Sequence, residues 1–206
     1  MKRIILKHPF TMLISGPTGS GKTLWLVKLI KLKSSFPKPK KIYYFYGEYQ
    51  PIFDSIEGVK FIRGLQEDVI ENIGGTPTWI IFDDLMNDAI NSQKVSDLFT
   101  KGSHHKNISV ILLVQNFFAQ GKQMRNISLN SHYIVLFKNP RDKTIARSIA
   151  RQMYPNKTLA FHDVFEDATK EPHSYLFIDL KPETHENHRL LTNILNENSD
   201  IFSYLI

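Results

Sequence analysis

Phe10-Thr11-Met12-Leu13-Ile14, then Gly16-Pro17-Thr18-Gly19-Ser20-Gly21-Lys22-Thr23, then an apolar run from Leu24 to Leu32, follow one another near the start of the chain. The octapeptide matches G-x-x-x-x-G-K-[ST] at every position. Its glycines let the backbone curl so that amide N–H groups turn toward phosphate oxygens. Lys22 supplies charge for β- and γ-phosphates, Thr23 a hydroxyl for Mg²⁺, and the start of a helix adds its dipole. The run before the loop reads as a buried strand. The run after it is apolar nearly all round and reads as a buried helix. Strand, glycine-rich turn and helix in that order form a nucleotide-binding unit, with ATP and Mg²⁺ the ligands to expect.

Beyond this unit, short β-rich runs alternate with helical stretches, the signature of an α/β domain with a mainly parallel sheet. Ile42–Tyr46, Val59–Ile62, Trp79–Phe82, Ile108–Val114 and Tyr133–Phe137 read as strands, and Ser34–Lys41, with Pro37 and Pro39, as a loop. Asn87–Thr100 reads as helical, Gly121–Leu129 as helix or loop. Asp142–Met153 is an amphipathic helix with Ile145, Ile149 and Met153 inward. Tyr175–Ile178 and Arg189–Leu191 suggest a closing hairpin. Neither a repeat nor a linker interrupts residues 1–206, so one domain is expected.

Trp79-Ile80-Ile81-Phe82-Asp83-Asp84 is an apolar strand ending in two acids. A phosphate-binding loop needs a carboxylate beside Mg²⁺, which Asp83 supplies through water or through Thr23. A second carboxylate suits hydrolysis, with Asp84 polarising the attacking water. The plainer alternative makes Asp84 the cap of a helix starting near Leu85. Gln115 is the first polar side chain after Ile108–Val114, a run of seven residues of which six are apolar. In additional-strand P-loop ATPases a strand lies between the loop-bearing and acid-bearing strands, and a polar residue at its tip senses the γ-phosphate or positions water. The fold expected is therefore an α/β P-loop NTPase: a RecA-like additional-strand, three-layer αβα sandwich with a mainly parallel central sheet and a C-terminal β-hairpin.

The 206 residues are 42% apolar and 22% charged, which excludes a disordered chain. No run approaches the roughly 18 apolar residues of a spanning helix, and Ile4-Ile5-Leu6 is too short for a signal-peptide core. A soluble, intracellular chain is expected. Zero Cys removes disulfides and thiolate metal sites. The net charge of +6 is segregated along the sequence. Residues 1–41 carry ten basic side chains and no acid, and 42–100 carry three against ten acids; 101–160 carry ten against one, and 161–206 three against nine. Such blocks fit either a polyanion such as DNA, or nucleotide phosphates plus solvated faces. Lys143, Arg147 and Arg151 form a basic stripe opposite the apolar one, for DNA, a neighbouring subunit or solvent. His104-His105 and His185-Glu186-Asn187-His188 lack zinc-motif spacing. Tyr43, Tyr44 and Phe45 read as strand core rather than a base-stacking platform.

Gly16–Thr23, Trp79–Asp84 and Leu98 through Gln115-Asn116 together resemble the genome-packaging ATPases of large double-stranded DNA viruses, virophages and Polinton-type elements, in the FtsK–HerA superfamily. The likeness continues through Gly121–Ser128, Phe137–Asp142 and Arg151–Pro155, and so spans most of residues 10–192. Its specific part is Lys101–Asn116 and Lys122–Asp142. The resemblance implies a pentameric or hexameric ring that hydrolyses ATP to thread duplex DNA into a preformed capsid. Its partners would be double-stranded DNA, further copies of the chain, and a capsid or portal-vertex protein, in the virion or at a host-cell assembly site. In such rings an arginine completes the neighbour's site; Arg125 is the first candidate and Arg141 the second. Many members of the wider superfamily carry Glu where this chain has Asp84, one methylene shorter. Two other readings compete: a small-molecule kinase with Arg141, Arg147 and Arg151 on a lid, and a scaffold that binds ATP without turnover.

Overall fold

The loop-bearing strand β1 (Thr11–Ser15) lies at the heart of a nine-stranded sheet. Around it in chain order come β2 (Lys41–Tyr46), β3 (Val59–Arg63), β4 (Thr78–Asp83), β5 (Ile108–Val114), β6 (Tyr133–Phe137), β7 (Tyr175–Asp179), β8 (Leu190–Thr192) and β9 (Phe202–Tyr204). In space the order is β3-β2-β4-β5-β1-β6-β7-β8-β9. The first six positions are parallel and the last three strands antiparallel. These positions come from a computed structural model that describes residues 6–32, 38–102, 106–196 and 200–206. His104, His105 and the first part of the Ser34–Lys41 loop lie outside the described residues.

Inserted between β1 and β4 is β5, pairing Leu112 with Leu13 on one side and with Phe82 on the other. Its seven residues are all buried, because both faces of the sheet are covered. Residue parity then sorts the core into two halves. Leu13, Ile80, Phe82, Val110, Leu112 and Leu136 face helices α2 (Glu67–Glu71), α3 (Met86–Ala89), α4 (Gln93–Asp97), α5 (Met124–Leu129), α6 (Thr144–Met153) and α7 (Thr158–Ala168). Met12, Ile14, Ile81, Ile111, Leu113 and Val135 face α1 (Lys22–Lys31). This is the expected three-layer, additional-strand architecture.

Ser109, the polar break in β5, is fully buried yet satisfied: its Oγ accepts from the Phe10 amide at 3.0 Å and meets His8 Nδ1 at 2.7 Å. The second ring nitrogen of His8 lies 2.8 Å from Asn107 Oδ1, so the imidazole clips the chain before β1 onto the start of β5.

Several elements depart from their expected form. Asn87–Thr100 is not one helix. Instead α3 and α4 are separated at Ile90–Ser92, and a π-helical turn, Leu98–Gly102, follows. Ser92 starts the second piece, its Oγ accepting from the Val95 amide at 3.2 Å. Helix α1 is not buried all round, for Leu24 is 42% exposed at the rim of the cleft described below. Helix α6 starts at Thr144 rather than Asp142; it buries Ile145 and Ile149 and leaves Arg147 and Arg151 exposed, with Lys143 exposed just before it and Met153 half-buried against the core. Helices α2 and α7 and strand β9 lacked a sequence reading; α7 packs Phe161 and Phe165 into the core, and the Tyr204 hydroxyl of β9 donates to Asp167 of α7 at 2.7 Å.

Candidate nucleotide site

The turn from β1 into α1 starts where the Gly16 amide donates to the Val114 carbonyl at 3.2 Å, tying the loop to β5. Gly19 and Gly21 take φ of 77° and 102°, the left-handed region that a side chain resists. Gly21 is also the residue before α1, so no side chain caps the helix. The first-turn amides of α1 therefore point into the hollow of the loop as anion donors. Lys22 lies over that hollow, its Nζ donating to the carbonyls of Gly16 at 2.6 Å and Pro17 at 3.0 Å. Burial pulls the Lys22 ammonium below its ordinary pKa, while the charges of Asp83 and Asp84 push it back up.

Parity also sets the acids. Asp83 shares the α1 face of β4 with Ile81, which brings its carboxylate under the start of α1. Thr23 Oγ1 donates to Asp83 Oδ2 at 3.0 Å, and the Tyr44 hydroxyl donates to the same oxygen at 2.7 Å. Asp83 is 4% exposed. Burial raises its pKa most strongly; the Tyr44 and Thr23 hydrogen bonds and the Lys22 charge oppose that, and Asp84 adds to it. Tyr44 is itself driven far above its usual range by burial and then by the adjacent carboxylate. A buried carboxylate and a threonine hydroxyl side by side are the hard oxygen donors Mg²⁺ prefers, so these residues fit the ion.

Asp84 is exposed and left-handed, with φ 55°. It does not cap α3, which starts from Leu85 without a side-chain cap. The backbone beside it is crowded: the Gly47 amide donates to the Asp83 carbonyl at 3.0 Å, and a Cβ at Gly47 would lie 2.3 Å from the Asp84 carbonyl oxygen. Only glycine fits there. Gln115, exposed at the end of β5, lines a cleft of about 510 Å³ together with Lys22, Thr23, Asp83 and Asp84.

The two arginines part company. Arg141 lines a second cleft, of about 600 Å³, with Pro17, Thr18, Gly19 and Ser20 on the far side of the loop. Arg125 stands on the exposed side of α5 and lines neither cleft. Three residues that sequence reasoning missed complete the surroundings: Tyr44 on Asp83, Gly47 against Asp84, and His173, whose ring lines both clefts. Tyr44 was legible only as one more aromatic of an apolar strand. Gly47 and His173 carry no local signal, because their partners are distant in sequence.

A central β5 between the loop strand and the acid strand, with the loop, Thr23 and Asp83 in one cleft, is the fold of a P-loop NTPase. No protein-family model matches the chain, and no curated protein sequence matches it. Among solved structures it is similar to the genome packaging NTPase B204 of Sulfolobus turreted icosahedral virus 2, in complex with AMP, at TM-score 0.56 and 14% identity, covering 89% of this chain and 99% of that one. B204 in complex with AMPPCP aligns at TM-score 0.55 and 14% identity, over 87% and 96% of the two chains. The B204 structure described as the DNA-packaging ATPase from Sulfolobus turreted icosahedral virus aligns at TM-score 0.57 and 13% identity, over 86% and 96%. At these identities the likeness is one of fold. Among the described residues no helix is long and apolar enough to cross a membrane.

Proposed function

We propose that the chain is an ATP-hydrolysing motor that moves double-stranded DNA, packaging a viral genome into a capsid as a ring of identical subunits. The observation that carries this reading is the inserted strand β5, whose tip brings Gln115 into one cleft with Lys22, Asp83 and Asp84. A small-molecule kinase needs neither that strand nor a second carboxylate. The likeness of fold to the packaging NTPase B204 supports the DNA-motor form of the reading.

In this reading the loop amides and Lys22 hold the β- and γ-phosphates of ATP. Thr23 and Asp83 hold Mg²⁺, which supplies positive charge against the phosphate oxygens when bound. Exposed Asp84 orients the attacking water and accepts its proton, and Gln115 reads the γ-phosphate. Arg125, or Arg141 from the second cleft, serves the neighbouring subunit's site by stabilising charge on the transferred phosphate. The capsid or its portal vertex is the remaining partner, and the virion assembly site the place of action.

Phosphate release from ATP with Mg²⁺, and no acceptor present, tests the site. Lys22→Ala should lower turnover by about a hundredfold or more, the scale of losing a phosphate-stabilising charge. Wild-type turnover in Lys22→Ala overturns the assignment. In the same assay, mixing Lys22→Ala with Arg125→Ala subunits should recover activity; no recovery at any ratio removes Arg125 as the finger and passes the role to Arg141.

A further inference from the structure

His173 lies at the junction of the two clefts. It occupies the third position of the turn Glu171-Pro172-His173-Ser174, closed by the Ser174 amide donating to the Glu171 carbonyl at 3.1 Å. Proline in second place and a left-handed third residue define a type II turn. At φ 62° His173 is in the left-handed region, uncommon for residues other than glycine, though His, like Asn and Asp, enters it more readily than most. The strained backbone carries the ring onto the phosphate-binding loop. His173 Nδ1 is 3.2 Å from the Ser20 carbonyl oxygen, and a Cβ at Gly21 would lie 3.1 Å from the same nitrogen. A ring nitrogen facing a carbonyl carries the hydrogen, so Nδ1–H donates.

The consequence lies in the peptide between Ser20 and Gly21. A trans peptide is planar, so directing the Ser20 carbonyl toward His173 directs the Gly21 N–H the opposite way. Glycine at 19 and at 21 makes rotation of the peptides about Ser20 easy. We propose that His173 is a positioning residue: its bond to the Ser20 carbonyl holds this peptide in one orientation, keeping the Gly21 amide available to a phosphate. Strain kept in the turn before β7 thus serves order in the loop after β1. This rests on the nucleotide reading of the loop above, and it adds a part supplied from the antiparallel side of the sheet.

Two variants separate the device from mere packing. His173→Gly removes the donor and also relieves the left-handed strain. His173→Asn tolerates the same φ and presents its amide nitrogen where Nδ1 stands. Binding of Mg²⁺-ATP by calorimetry, steady-state turnover and thermal melting are measured for each. His173→Gly should weaken Kd and raise KM by about tenfold, the scale of one hydrogen bond that preorganises a site. Its kcat should stay within about twofold and its Tm be equal or higher. His173→Asn should return Kd to within about threefold of wild type. A wild-type Kd in His173→Gly, a Tm that falls together with binding, or an Asn variant as weak as the Gly variant each overturns the proposal. Lys22→Ala run alongside distinguishes the two levels: ATP binding unchanged in Lys22→Ala sinks the nucleotide reading, whereas Lys22-dependent binding indifferent to His173 sinks only the positioning role.

Discussion

Asp83 and Asp84 are neighbours in sequence and opposites in environment. One is buried under two hydroxyl donors, the other exposed at a strained turn. Two carboxylates made unequal by their surroundings can divide the work of holding an ion and handling a proton. Burial lifts the Asp83 pKa above its unfolded value. Its contribution to stability is therefore complete below the unfolded pKa and lost as pH rises through the folded one. Asp83→Asn, with nucleotide and Mg²⁺ absent, should raise Tm at pH 8, where the buried carboxylate is most costly. The gain should vanish as the buffer is acidified below the folded pKa, and Mg²⁺-dependent turnover should be lost. Melting curves across pH decide it, and an Asn variant less stable than wild type at pH 8 contradicts it. At this scale the sequence was most informative where residues follow one another. Lys22, Thr23, Asp83, Asp84 and Gln115 could be read from runs of a few letters, and the fold gathers all five around one cleft. Tyr44, Gly47 and His173 matter through partners about 40 to 150 positions away, which local pattern does not encode.

Elements with a strong period were read with small errors at their ends. β5 was legible because a strand buried on both faces is a nearly unbroken apolar run, and its placement beside β1 is what brings Gln115 to the loop. The stretch Asn87–Thr100 is not one helix for a definite reason: Ser92 Oγ accepts from the Val95 amide, so starting a new helix competes with continuing the old one. Helix α7 carries Phe161, Phe165 and Ala168 at helical spacing, a stripe that was there to be read. Strand β9 is three residues long and too short to show alternation. The segment after β2 reaches the site through Gly47, which packs against the Asp84 backbone. Gly47→Ala should cost about 1–3 kcal/mol of stability, as overpacking does, because the obstructing atom is a carbonyl rather than a side chain that can swing aside. Moving Asp84 should lower kcat by about tenfold or more, with ATP binding through Lys22 retained. An alanine variant with wild-type kcat would show that the position of Asp84 does not matter to turnover.

For the whole molecule, charge segregated along the chain is partly mixed in space. Lys138 of the second basic block meets Glu166 of the last acidic block at 2.7 Å, and Lys7 meets Glu183 at 3.5 Å. Folding brings these blocks together because the antiparallel strands return beside β1 and β6. Exposed basic side chains remain at Lys143, just before α6, and at Arg147 and Arg151 on it. That face suits the phosphates of a duplex or an acidic surface on the next subunit. A motor that works on duplex DNA should hydrolyse ATP faster when the duplex is present, and should do so as an assembly. The decisive measurement is Mg²⁺-dependent phosphate release with and without double-stranded DNA, taken with solution mass by light scattering under the same conditions. Stimulation of about tenfold, weakening as salt screens the phosphate contacts, with a mass of several subunits, is the expected result. A Lys22-dependent ATPase that stays monomeric and is indifferent to duplex DNA at every salt concentration contradicts the motor.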